Sequence, residues 1–153
     1  MDCMLGTLAR WLRLCGYDTE YHNDCEDDIL LEKAIDRDLI LVTRDRELNG
    51  RARKRGITSV LVENSSYVEQ LAYVKKVIGL ELQPQSTRCS NCNNTIRRAE
   101  KETVKGKVPD RTYNVYEEFW ICDSCGKVYW KGSHWTKIVE TLKKANSFFD
   151  QDL

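Results

Sequence analysis

Apolar positions recur along this chain with two different periods. In residues 4–15, Leu5, Leu8, Ala9, Leu12 and Cys15 fall at helical spacing, and Gly16 is a usual stop for such a helix. Residues 17–22 alternate around Tyr17 and Tyr21 and fit a short strand. Over 27–38 the helical period returns through Ile29, Leu30, Leu31, Ala34 and Ile35, with Asp27 or a neighbouring acid as the expected cap. Residues 39–43 are a short continuous apolar run, the pattern of a strand covered on both faces. A polar helix over 46–55 ends at Gly56, and 59–63 reads as a second buried strand. An amphipathic helix over 66–79 runs through Val68, Leu71, Ala72, Val74 and Val77 and closes at Gly79. A last helix is expected over 134–149, with Trp135, Ile138, Val139, Leu142 and Phe149 apolar.

Alternation of helix and strand over the first part of the chain predicts an α/β fold, with parallel strands and helices on both faces. Pro84, in the polar stretch 83–88, marks a boundary. The expected organisation is an α/β part at 1–83, a cysteine module at 84–133 and a terminal helix at 134–153 that packs back.

The cysteine module carries the strongest local motif. Cys89-x-x-Cys92 and Cys122-x-x-Cys125 share one internal spacing. Each pair sets two thiolates on one side of a tight turn, and two facing turns make a tetrahedral four-sulfur site suited to a structural zinc. Disulfides or redox thiols are the alternatives. Cys3, Cys15 and Cys25 have no partner at ligand spacing. Their odd number points to a reducing cytoplasm and to a role as small buried hydrophobes.

Length and charge narrow the picture further. The 153 residues suffice for one ordinary core plus a small module. Lysine and arginine total 24 against 24 acids, so attraction to nucleic acid must come from local patches. No apolar run is long enough to span a bilayer and no signal peptide opens the sequence, so no membrane partner is expected.

Candidate chemistry gathers where an open parallel sheet binds ligands, outside the carboxyl ends of its strands. Asp45 follows one strand, Glu63 ends the next, Asp27 starts a helix and Asp2 precedes the first helix. Asp18 falls at the opposite edge. Converging carboxylates repel unless a cation lies between them, and oxygen donors suit magnesium or manganese. The alternative is ordinary helix capping and dipole pairing. His22 and His134 read as structural. Arg10 and Arg13 fall on the polar side of the first helix, and Arg51, Arg53, Lys54 and Arg55 cluster on another. Arg97, Arg98, Lys101, Lys105 and Lys107 lie in the cysteine module. Such bases neutralise phosphates and exposed aromatics stack on bases, although Trp130 and Trp135 are expected to pack the ribbon onto the first part.

Asp2-x-Met4-Leu5-Gly6-x-Leu8-Ala9-Arg10-Trp11-Leu12-Arg13-x-x-Gly16-Tyr17-Asp18 resembles the opening of the Mut-seven C-terminal RNase domain family. Asp27-Asp28-x-Leu30-Leu31-x-x-Ala34 and Leu41-x-Thr43-Arg44-Asp45-Arg46-x-Leu48 continue the likeness. So do both cysteine pairs with their flanks, and Tyr129-Trp130-x-Gly132-Ser133-His134-Trp135. The resemblance implies a PIN-like nuclease fold with a C-terminal zinc ribbon. It also implies a magnesium- or manganese-dependent ribonuclease acting on single-stranded RNA; the expected partner is RNA, with the ribosome or tRNA as the alternative contexts. By the same resemblance Asp2, Asp27 and Asp45 are the catalytic acids, Asp28 a substitute for Asp27, and Arg44 a phosphate contact or a support for Asp45. Glu63 is a positional choice for a fourth acid. Family members carry an apolar strand before the first acid. Here that acid is residue 2, so the first strand is expected to be short or missing. The alternative function is a non-catalytic RNA- or ribosome-binding zinc-ribbon protein.

Overall fold

The computed structural model describes residues 1, 4–22, 26–63 and 66–149. The first part contains α1 (Gly6–Leu14), α2 (Asp27–Asp36), β1 (Leu41–Thr43), α3 (Arg46–Lys54), β2 (Ser59–Leu61) and α4 (Tyr67–Ile78). Then come β3 (Arg97–Ala99), a 3-10 turn (Lys101–Val104), α5 (Asp110–Val115), β4 (Phe119–Ile121), β5 (Val128–Trp130) and α6 (Ser133–Asn146).

β1 and β2 pair in parallel, Leu41 opposite Ser59 and Thr43 opposite Leu61. The helices cover both faces of this small sheet, which is why the strands read as unbroken apolar runs. On one side Leu41 packs with Leu30, Leu31 and Ala34 of α2 and Leu48 and Ala52 of α3. On the other, Val42 and Val60 pack with Leu5, Leu8 and Leu12 around α1, Leu71 and Val74 of α4, and Leu142 and Ala145 of α6. α6 is anchored to α4 and to the segment after it: Lys75 Nζ donates to the Asn146 carbonyl at 3.2 Å, and Asn146 Nδ2 donates to the Leu82 carbonyl at 2.9 Å.

Helix boundaries follow local chemistry. Ser66 and Glu69 form a reciprocal capping box at the start of α4, and Gly79 ends that helix in the left-handed region at φ 78°. Gly16 turns the chain after α1 at φ 87°. α2 has a neighbouring acid, Glu26, at its N-cap, but Glu26 makes no side-chain cap bond and Asp27 is already helical. Ile29, Ile35 and Val77, apolar positions of the helical period, are exposed.

The strand expected at 17–22 does not form. The Thr19 amide donates to Asn93 Oδ1 at 3.0 Å, and the Thr19 carbonyl accepts from Arg13 Nε at 2.9 Å. Side chains thus satisfy the backbone groups that a neighbouring strand would have taken. Asp2, expected at the end of a first strand that is short or missing, lies outside the described residues.

The C-terminal module is an antiparallel sheet in the order β3-β4-β5. Ala99, Phe119 and Ile121 turn inward onto Val104 and Val108, with Val128 and Trp130 packed against them.

Candidate metal centre and acidic rim

Both cysteine turns are built alike. Asn93 N–H donates to the Cys89 carbonyl at 2.9 Å, and Gly126 N–H donates to the Cys122 carbonyl at 2.8 Å. Each reversal needs a left-handed residue just after the second cysteine, at Asn93 (φ 69°) and Gly126 (φ 73°). Asparagine and glycine are the residues that tolerate this conformation best. The four sulfurs lie within 4.8 Å of one another, with Cys92–Cys122 at 3.4 Å and Cys89–Cys125 at 3.6 Å.

These thiols are free, so a disulfide framework does not apply. A tetrahedral ion with zinc–sulfur bonds of about 2.3 Å needs sulfur–sulfur edges of about 3.8 Å, and the cluster fits that size and donor type. Its electrostatics call for a cation. Desolvation raises the Cys122 thiol. At Cys92 desolvation also pushes the thiol up, but hydrogen bonds with Asn94, Cys122 and Cys89 together lower it. Two thiolates this close cannot both ionise without a positive charge between them.

Arg13 ties this centre to α1. It is buried rather than solvent-facing, which corrects its expected place on the polar side of the helix. Its Nη1 donates to the carbonyls of Asn91 at 3.0 Å and Ser90 at 3.4 Å, both inside the first knuckle. Burial lowers its pKa, and the nearby Cys89 and Cys92 push the other way. Asp18 sits beside it, accepting from Asn93 Nδ2 at 2.7 Å and pairing with Arg88 at 3.2 Å. Neither role was visible from helical periodicity. Only the order of residues along α1 hints that Arg13 faces the same way as Ala9.

Among the described residues, the cysteines are the one group of three or more His, Cys, Asp or Glu residues within common metal reach. Asp45 lies two residues past β1 and caps α3, its Oδ1 accepting from the amides of Glu47 at 2.7 Å and Leu48 at 2.9 Å. The Asp45 amide donates to Oγ1 of the fully buried Thr43 at 2.9 Å, so the Thr-Arg-Asp run orients its own acid. Asp27 pairs with Arg51 Nη1 at 3.1 Å. Asp28 pairs with Arg51 and with Arg55, the latter at 3.4 Å. Glu63 pairs with Arg46, and Arg44 is exposed between β1 and Asp45. Asp2 lies outside the described residues. The structure thus joins Asp27 and Asp28 through Arg51, which springs from the helix that Asp45 caps.

The other basic candidates divide in the same way. Arg10, Arg53 and Lys54 are exposed. Arg97 pairs with Asp123 at 2.7 Å and Arg98 with Glu118 at 2.9 Å, both on the surface. His22 lies 3.8 Å from Glu20 and 3.4 Å from Lys33, and His134 sits edge-on to Trp130 with ring centroids 5.5 Å apart.

Fold and centre together define a mixed α/β protein with a C-terminal four-cysteine ribbon. The Mut7-C RNAse domain model matches residues 1–142, and the chain belongs to that family. Comparison with curated proteins and with solved structures gives no match. The family gives the chain a role of the ribonuclease type, with RNA as the implied substrate. Among the described residues no helix is long and apolar enough to cross a membrane.

Proposed function

We propose that this chain is a metal-dependent ribonuclease that hydrolyses RNA phosphodiesters at its acidic rim in the cytoplasm. Asp2, Asp27 and Asp45 would hold magnesium or manganese, whose usual donors are carboxylate oxygens. When bound, such an ion supplies an ionised water and steadies charge on the phosphate. Residues 1–83 would carry this chemistry, 84–133 the zinc ribbon, and 134–153 the helix joining them.

The observation that carries the reading is the family match over residues 1–142. The placement of Asp45 supports it, at the carboxyl end of β1 and oriented by Thr43. Arg44 stands next to it for a phosphate contact, and Arg10, Arg53 and Lys54 are exposed for the RNA backbone. Asp28 and Glu63 are the reserve acids.

Asp45→Asn tests the proposal, because asparagine caps a helix as well as aspartate. Cleavage of a labelled single-stranded RNA in manganese should fall by at least about a hundredfold, the scale of removing an essential charged group at a reacting centre. If the variant cuts as fast as the parent, the nuclease reading is wrong.

A second reading rests on Arg51. Its guanidinium already neutralises Asp27 and Asp28, as expected of a protein that binds RNA or the ribosome without cutting. RNA binding without added manganese, with no cleavage in manganese, would favour it.

A further inference from the structure

The outward face of the ribbon sheet carries side chains that the acidic rim does not use. Register sets Arg98 opposite Trp120 and Trp120 opposite Tyr129. Side chains alternate along a strand, so this row lies on the face away from Phe119 and Ile121. Lys127 and Lys131, two positions either side of Tyr129, continue the row. Lys127 Nζ lies 5.3 Å from the Tyr129 ring. Lys131 Nζ lies 5.2 Å from the Trp120 ring and 5.3 Å from that of Trp135 on α6.

These rings and lysines, with His134, line a groove of about 340 Å³. That is within the roughly 300–1,000 Å³ usual for ligand sites. Among the described residues, no aspartate or glutamate lines it. Tyr129 is held in place by its hydroxyl, 2.9 Å from Cys89 Sγ and 3.3 Å from Ser90 Oγ. The groove is therefore attached to the metal centre and keeps its shape through it.

Chemistry selects the occupant. The Lys131 ammonium lies over both indoles. An unpaired base also prefers a π face, and it brings a phosphate with which the lysine can pair. A purely apolar partner would leave both ammonium groups desolvated without a counter-charge. A duplex has its bases stacked on one another and none to offer. We propose that this groove binds single-stranded RNA, with bases on Trp120 and Trp135 and flanking phosphates on Lys127 and Lys131. The choice of RNA rests on the ribonuclease reading, and the groove adds a gripping site on the ribbon, apart from the acids.

The test is fluorescence anisotropy of a short labelled oligouridine with the zinc-loaded full chain, without added magnesium or manganese. Trp120→Ala should raise Kd about tenfold or more, the usual loss for one stacked base. Lys127 and Lys131 are exposed, so the double change Lys127→Gln with Lys131→Gln should fold normally. It should weaken binding and flatten the dependence of log K on log salt by about 1.4, for two phosphates. A blunt RNA duplex should compete poorly. Unchanged Kd in both variants, or equal competition by the duplex, overturns the groove while leaving the nuclease reading to the Asp45→Asn cleavage assay. Loss of binding in both variants, with Asp45→Asn still cutting, keeps the groove and removes the nuclease.

Discussion

Cys15 ends the apolar stripe of α1 and is buried among Leu5, Leu8 and Leu12. Burial pushes its thiol up to about 11. In the unfolded chain an ordinary thiol ionises near 8.5. Below that value both states hold the proton and the buried neutral thiol contributes in full. As pH rises toward the folded value, only the unfolded state releases its proton, so stability falls. Roughly 3 kcal/mol should be lost over this window, at about 1.4 kcal/mol per unit. Urea unfolding of the parent and of Cys15→Ala, at pH 8 and at pH 10.5, checks this. The gap between the two proteins should narrow at the higher pH, and a constant gap would contradict the assignment. Comparing two proteins with the same zinc ligands cancels the titration of the metal centre. At this scale the sequence shows the burial of Cys15 and the meeting of the four paired cysteines, because their surroundings are local or their spacing is fixed. It was misread for Arg13. A charge on a helix defaults to solvent, and only the fold brings the carbonyls of Ser90 and Asn91 to it, 77 and 78 residues away.

Elements were legible where the signal lay within one turn. The capping box of Ser66 and Glu69 and the left-handed Gly79 bracket α4 within a residue of the apolar period. The alternation of Tyr17 and Tyr21 misled because it comes from tertiary bonding rather than from a pleat. The Tyr17 hydroxyl accepts from the Glu81 amide at 2.8 Å, and Thr19 is held by Asn93 and Arg13. Asp45 shows how an element and a candidate site share one residue. Its side chain satisfies two of the amides that every helix start leaves open. Asp45→Ala should therefore cost about 1 kcal/mol of stability, while Asp45→Asn should stay within a few tenths. Denaturant titration of both variants measures the difference. An equal loss in the two would mean that the charge, through the helix dipole, matters more than the cap. The ion pair of Asp27 with Arg51 lies beyond such local reading, because its partners are 24 residues apart on different helices.

The whole molecule is held together by two kinds of link between its layers and its ribbon. α6 leaves the ribbon and buries Leu142 and Ala145 in the same cluster as α1 and α4. That link is apolar and does not depend on a metal. The second link is polar: Arg13 reaches from α1 into the first knuckle, and Asp18 and Thr19 engage Asn93. It depends on the knuckle keeping its shape, which a structural zinc held by the four cysteines would enforce. Chelation should therefore unfold the ribbon while the α/β layers keep their helices through α6, so far-ultraviolet ellipticity should fall only in part. The layers should also be weakened, because a buried guanidinium loses its acceptors. Hydrogen bonds to charged groups are worth roughly 1.5–3 kcal/mol. Arg13→Met removes the same bonds by another route and keeps an unbranched chain in the space. The two perturbations should therefore not add. Arg13→Met should lower the stability of the zinc-loaded protein by about 1.5–3 kcal/mol and change the chelated protein far less. Unfolding of all four states by urea, followed at 222 nm, closes the cycle. Simple additivity would mean that the knuckle and α1 touch without supporting each other, and that the ribbon is a separately folded appendage.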